Sequence, residues 1–244
     1  MVSPGKEVDL TNMFLTQASS CDYENVWRLD VLGLEDTNVG DQGIVYEEFK
    51  EQLRSPEGWY EVGLPWKGNH RPLLNNKAGS LKRLNALTKR LEKQPGMLEW
   101  YDSVIQDQLA QGTVERVESE AKEREFYIPH KPVIRKTAES TTLCIVYDAY
   151  TRASEKAPSL NECLEIGPPT QNQLWSVLLR NRFHPVAISG DLQQAFLQVR
   201  IWEPDRDVMR FHRYKDLKTK EIEALRFTRA LFGLAPPPFL LGGS

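Results

Sequence analysis

The stretch over residues 188–201 reads ISGDLQQAFLQVRI and determines how the rest of the chain is interpreted. The apolar run over 185–190 (PVAISG) predicts a strand that delivers one carboxylate, Asp191, at its end. Five residues later, Phe196 starts a second apolar run. Taken alone, Asp191 after a Ser-Gly pair is typical of a turn or a helix cap, and Phe196 is typical of a core aromatic.

Downstream of this stretch the sequence predicts an antiparallel hairpin. Residues 207–214 (DVMRFHRY) and 222–229 (EIEALRFT) are typical of strands. A Lys-rich turn around Lys215, Asp216 and Lys218 joins them. The two strands are therefore expected to pair with each other.

Upstream, leucine spacing predicts a helical hairpin. Ser80 is placed as the N-cap of the first helix, Pro95-Gly96 ends it, and Gly112 ends the second helix. The apolar stripes of the two helices comprise Leu81, Leu84, Leu87, Leu91, Leu98, Tyr101, Ile105 and Leu109. Their spacings of three and four place each stripe on one helix face, so the two helices share one apolar seam.

The remaining elements complete an α+β pattern. Residues 44–53 (IVYEEFKEQL) predict a short helix, and residues 126–134 (FYIPHKPVI) and 142–148 (TLCIVYD) predict strands. Thr170 is placed as the cap of a further helix, whose stripe comprises Leu174, Leu178 and Leu179. Helices and strands that follow each other without strict alternation indicate an α+β fold.

Composition excludes several classes of protein. The chain has 244 residues, a net charge of −3, and three cysteines without metal-ligand spacing. No apolar run is long enough to span a membrane, and the amino terminus has no signal-peptide core. Residues 67–93 carry eight basic residues and one acidic residue. Such a basic segment favours an anionic partner, and a solvated helix face is the alternative.

The order of these blocks resembles reverse transcriptases of retroelements. D-x-x-x-A-F, then a hairpin, then Leu-Phe-Gly-Leu at 231–234 is similar to the first aspartate block and the Phe-Gly block of those enzymes. Blocks further upstream resemble the BEL/Pao group of LTR retrotransposons, and the similarity extends from about residue 25 to the end. They are GWYEVGLPWK (58–67), LKRLNALTKRL (81–91), YIPHKPVIRK (127–136), TLCIVYDA (142–149), SLNECLEIGPP (159–169) and LLRNRF (178–183).

This resemblance implies a metal site and a nucleotide pocket. Asp191 and the main-chain carbonyl of Leu192 match the family's first metal position, where two Mg²⁺ ions support nucleotidyl transfer. Phe196 matches the aromatic under the incoming sugar, where a bulky ring excludes a ribose 2′-hydroxyl. Phe232 and Gly233 match the loop that lines the nucleotide pocket.

The resemblance also implies cationic contacts to the substrates. Arg135 and Lys136 fall in the fingers hairpin, where cations meet the triphosphate of a dNTP. Within the basic segment, the residues expected to contact an RNA or DNA primer–template are Lys82, Arg83, Lys89 and Arg90.

Two departures from the family pattern limit the expected activity. Cys144 stands four residues before Asp148, where the family usually carries an arginine, and a thiol cannot supply a cationic fork. The 244 residues contain no Asp-Asp pair, so the second carboxylates that hold Mg²⁺ are missing. We therefore expect the polypeptide to be inactive by itself.

The resemblance predicts right-hand polymerase fingers and a partial palm over 58–244, truncated before the Asp-Asp hairpin. Residues 1–57 are expected to form a connector after a missing protease, partly disordered or helical. RNase H and integrase are missing as well, and the family implies a cytoplasmic retrotransposon particle. Two alternatives stay open: a non-catalytic nucleic-acid-binding remnant, and a decayed fragment without function.

Overall fold

The computed structural model describes residues 39–55, 58–117, 121, 124–136, 141–170, 174–183, 185–186, 188, 190 and 194–243. Those from residue 42 onward belong to one compact unit that begins at Gln42. Within the described part of the chain, no helix is long and apolar enough to cross a membrane.

The first helix, α1 (Val39–Gln52), contains most of the helix predicted over 44–53. Phe49 is buried and packs against Phe239, with 4.8 Å between the two ring centroids. Helix α1 therefore contributes to the common core of the compact unit.

The predicted helical hairpin is confirmed, with a different start. Helix α2 (Lys77–Leu91) and helix α3 (Met97–Ala110) bury their stripes in the core. The prediction that Ser80 caps α2 is wrong, because Ser80 lies inside the helix and is buried. Asn76 precedes the helix, and its side chain binds the backbone N–H and C=O of Tyr127 at 2.7 and 2.6 Å.

The main sheet has three antiparallel strands. They are β2 (Val114–Arg116), β6 (Arg210–Asp216) and β7 (Glu221–Phe227), in the spatial order β2-β7-β6. The predicted pairing of β6 with β7 is confirmed. Strand β6 starts later than predicted because Asp207 belongs to a 3₁₀-helix (Glu203–Met209), where its carboxylate binds Arg210 and Arg226.

A second antiparallel hairpin consists of β3 (His130–Lys136) and β4 (Thr141–Tyr147). The strand predicted over 126–134 starts at His130 instead, because Tyr127 makes only an isolated bridge to Arg210. Helix α3 packs against β4, and helix α2 packs against β6. The helical hairpin therefore joins the two β-hairpins through one apolar core.

Short elements complete the described fold. They are the parallel pair β1 (Glu61–Val62) and β5 (Arg200–Ile201), helices α4 (Leu160–Cys163), α5 (Leu174–Asn181) and α6 (Pro237–Gly243), and a 3₁₀-helix (Ala195–Gln198). Residues 171–173 lie outside the described residues, so the Thr170 cap stays a prediction. The mixture of helices and strands confirms an α+β fold.

The prediction of a strand over 185–190 is wrong for those residues of the run that the structure describes. Its described members, Pro185, Val186, Ile188 and Gly190, belong to no strand. Val186 and Ile188 are 72% and 93% exposed. An apolar run forms a stable strand only where another strand pairs with it and a core covers one face, and this segment has neither within the described residues.

Candidate functional site

The two aromatics expected in the nucleotide pocket lie next to each other. Phe196 is partly buried on the 3₁₀-helix, whereas Phe232 follows the strand β7 and is 72% exposed. Their ring centroids are 6.1 Å apart, and their planes are tilted by 31°. The fold thus brings these two aromatics together at one surface.

The glycine after Phe232 is required by the packing. Gly233 has a φ of +116°, and a Cβ there would lie 2.6 Å from the Tyr147 carbonyl oxygen. A side chain at this position would therefore be strained in its backbone and would clash with strand β4.

A buried asparagine holds the same loop from the other side. The Asn161 Nδ2 donates to the Gly233 carbonyl oxygen, and its Oδ1 accepts from the Ala235 N–H, both at 2.9 Å. Asn161 lies on α4, whose start is stabilised by a capping box between Ser159 and Glu162. Two specific hydrogen bonds therefore set the position of the Phe232 loop.

The described residues do not supply the predicted magnesium site. Asp191 and Leu192 lie outside the described residues. Among the residues that are described, no group of three or more His, Cys, Asp or Glu side chains could hold a metal ion. The predicted magnesium site therefore stays a prediction.

The structure places only the backbone of the two cations that are expected to meet the triphosphate. Arg135 and Lys136 lie at the end of β3, opposite Thr142 and Thr141 of β4. Their side chains lie outside the described part of the structure, so their contact with a triphosphate stays a prediction. Cys144, at the family's arginine position, pairs with Val133 in the same hairpin and is only partly buried.

A basic cleft separates helix α2 from the β3–β4 hairpin. Its volume is about 440 Å³. The lining residues come from all three elements and comprise Arg83, Ala86, Leu87, Arg90, Pro129, His130, Lys131, Val146, Tyr147 and Asp148. Three permanent cations and one carboxylate therefore share a cavity whose other walls are mainly apolar.

Arg83 is held in this cleft by two side chains. Its Nη1 donates to Asp148 Oδ2 and to Thr151 Oγ1, both at 2.9 Å, and Thr151 donates to the same carboxylate oxygen at 2.7 Å. Partial burial would raise the pKa of Asp148, but the bonds from Thr151 and Arg83 outweigh burial and lower that pKa. The carboxylate therefore stays ionised at neutral pH and fixes the guanidinium.

The structure divides the four predicted nucleic-acid contacts into two pairs. Arg83 and Arg90 line the cleft, whereas Lys82 and Lys89 are exposed on α2 outside it. The sequence could not separate the pairs, because all four lie in one basic run with helical spacing.

Two histidines lie at the cleft: His130 lines it and is partly buried, and His212 is buried. His130 donates through Nε2 to the His212 carbonyl oxygen at 2.8 Å, and its Nδ1 is bonded to the Tyr101 hydroxyl. His212 stacks on Tyr127 with 4.1 Å between ring centroids. Desolvation lowers the pKa of both histidines to about 4, so both are neutral at pH 7.

Sequence reasoning missed several residues that form these sites. Asn161, Lys131 and Thr151 were not selected, although the first two lie in the blocks that carry the family resemblance. The Ser159-x-x-Glu162 spacing signals the capping box of α4 and would have drawn attention to Asn161. Nothing local in the sequence connects Thr151 to Arg83.

The comparisons with known proteins add no family assignment. No protein-family model matches this chain, and a search of curated proteins finds no match.

Proposed function

We propose that this chain forms the fingers and the first part of the palm of an RNA-directed DNA polymerase similar to that of BEL/Pao retrotransposons. The observation that carries the proposal is the pairing of Phe196 with Phe232 at 6.1 Å. The two rings come from separate sequence blocks, and the resemblance assigns both to one nucleotide pocket. Their contact is what that assignment requires.

In this proposal the chain's own residues bind and select the nucleotide. The Phe196 ring lies under the deoxyribose and excludes a ribose 2′-hydroxyl, while Phe232 extends the apolar wall. Gly233 keeps the loop close to β4, and the cations of the fingers hairpin attract the triphosphate. Because the sequence contains no Asp-Asp pair, which the resemblance implies for the rest of the metal site, we assign binding and not catalysis to these 244 residues.

Photo-crosslinking with a base-modified photoreactive dNTP tests this assignment. We expect the photoreactive dNTP to label the chain when the chain is bound to a primer–template. Unmodified dNTP should compete with this labelling more effectively than the matching ribonucleotide. Phe196→Ala should abolish this preference for deoxynucleotides. Phe183→Ala removes a phenylalanine that is 83% exposed elsewhere and serves as the matched control. Equal competition by both sugars in the unsubstituted chain would contradict the proposal.

Primer extension tests our assignment that the chain binds nucleotides but does not polymerise DNA. With Mg²⁺ and dNTPs we expect the 244-residue chain to add no nucleotide to a primer. Incorporation that disappears in Asp191→Asn would show that the chain does polymerise DNA and that this assignment is wrong.

A non-catalytic nucleic-acid-binding protein is the second candidate. The exposed basic face of α2, with Lys82 and Lys89, favours it. Charge-driven binding to duplex DNA should weaken steeply with salt, with a log–log slope of roughly −0.9 per neutralised phosphate. A flat response, measured by fluorescence anisotropy at two salt concentrations, would exclude this candidate. Location in a cytoplasmic retrotransposon particle stays a prediction from the resemblance.

A further inference from the structure

We propose that the cleft between α2 and the β3–β4 hairpin is a binding site for a phosphate ester of mononucleotide size, separate from the Phe196–Phe232 pair. The inference depends on the charges and the shape of the cleft, and it holds whether or not the chain belongs to a polymerase.

The charge of the cleft is not balanced within the protein. Asp148 neutralises Arg83 through the 2.9 Å ion pair. Arg90 and Lys131 also line the cleft, and neither has a hydrogen bond or ion pair to another described residue. Two uncompensated cations on opposite walls match the charge of a phosphate monoester, and guanidinium groups bind phosphate oxygens with charge-assisted hydrogen bonds.

The size and the walls of the cleft suit the rest of a nucleotide. A volume of about 440 Å³ falls within the range of small-molecule sites, which begins near 300 Å³. Ala86, Leu87, Pro129 and Val146 provide apolar surface beside the cations. A ligand with one charged end and one less polar ring is therefore a better match than inorganic phosphate.

The walls of the cleft are held in place before any ligand binds. Leu87 on α2 and Tyr147 on β4 are both buried in the core. Thr151 and Asp148 fix the Arg83 guanidinium with two hydrogen bonds. A site on rigid elements loses little conformational entropy when it binds, so a modest number of contacts is sufficient for measurable affinity.

Calorimetry on the whole chain tests the site. AMP is the probe, and adenosine and inorganic phosphate are the comparison ligands. We expect AMP to bind at least tenfold more tightly than adenosine, and Arg90→Gln or Lys131→Gln to weaken AMP by about tenfold. Lys89→Gln and Lys82→Gln remove the same charge outside the cleft and should change the affinity less than about twofold. Equal losses in all four variants would show general charge attraction and overturn the proposal.

A short single-stranded oligonucleotide distinguishes the two sources of the phosphate. If AMP binds and the cleft variants weaken it, the ligand is a free nucleotide. If only the oligonucleotide binds and Arg90→Gln and Lys131→Gln both weaken it, the phosphate belongs to a nucleic-acid strand. Absence of both effects overturns the proposal. The crosslinking test of the proposed function uses dNTPs and the Phe196 variant, whereas this test uses AMP and the Arg90 and Lys131 variants, so failure of this site and failure of the proposed function give different results.

Discussion

The Phe232 loop and the α2–hairpin cleft are built in different ways. The loop carries one exposed aromatic, Phe232, and its backbone is held by the Asn161 hydrogen bonds and by the close approach of Gly233 to β4. The cleft carries exposed cations on a helix and a hairpin whose opposite faces are buried in the core.

This difference indicates which residues of each site can be changed. In the cleft, Arg90 and Lys131 project from elements that are stable without them, so their substitution should alter binding and leave folding intact. In the loop, a few specific contacts determine the position of Phe232. A single substitution there should therefore change stability and geometry together.

Lowering the pH should reduce the stability of the folded protein, and this is the largest of the expected effects. His130 and His212 have pKa values lowered from 6.5 to about 4, so between these values the unfolded chain binds protons that the folded chain does not. Stability should therefore fall as the pH falls, by about 3 kcal/mol between pH 7 and pH 5. Urea unfolding at a series of pH values measures this loss.

One variant tests whether the two histidines cause the loss of stability at low pH. His130→Gln should remove roughly half of the pH-dependent loss, because one of the two imidazoles with a lowered pKa is gone. His70→Gln, which changes a histidine outside this cluster, should retain the full loss. A pH profile that is the same for the unsubstituted chain and His130→Gln would show that the cluster does not cause it.

A side chain at Gly233 should cause the next largest effect. Gly233→Ala should lower the free energy of unfolding by about 2–3 kcal/mol, because the Cβ adds both strain and a clash with the Tyr147 carbonyl oxygen. Gly79→Ala is the control, since an added Cβ there meets no described atom within 4 Å and the site is helical. That control should be neutral or more stable by up to about 1 kcal/mol. Equal destabilisation of both variants in thermal unfolding would refute the packing argument.

Loss of the asparagine contacts should have a smaller effect. Asn161→Ala removes two hydrogen bonds to the loop backbone and should lower stability by about 1–2 kcal/mol. Asn85→Ala removes one exposed partner of the Tyr214 hydroxyl and should cost less than about 1 kcal/mol. Hydrogen exchange at residues 231–235 should accelerate in the first variant only. Unchanged exchange in Asn161→Ala would show that the loop is held by other contacts.

Local sequence patterns predicted the regular elements well. Leucine spacing identified α2 and α3, and the Lys-rich turn identified the β6–β7 hairpin. The start of α2 was misplaced because Asn76 contacts Tyr127, which is far away in the chain. An apolar run at 185–190 predicted a strand, but pairing with another strand is a property of the fold and cannot be inferred from the run itself.

The candidate sites were predictable only in part. The blocks that resemble a reverse transcriptase identified Phe196, Phe232 and Gly233, and the structure brings the two rings together. Asp191 and Leu192 lie outside the described residues, so the metal site stays a prediction. The pairing of Arg83 with Asp148 joins residues from α2 and the end of β4, and helical spacing carries no information about such a contact.

The contact between Gly233 and the Tyr147 carbonyl oxygen links the two sites through a single peptide group. The next residue along that backbone is Asp148, whose carboxylate orients Arg83 in the basic cleft. The absence of a side chain at position 233 therefore lets the loop backbone lie directly against the residue that precedes the carboxylate.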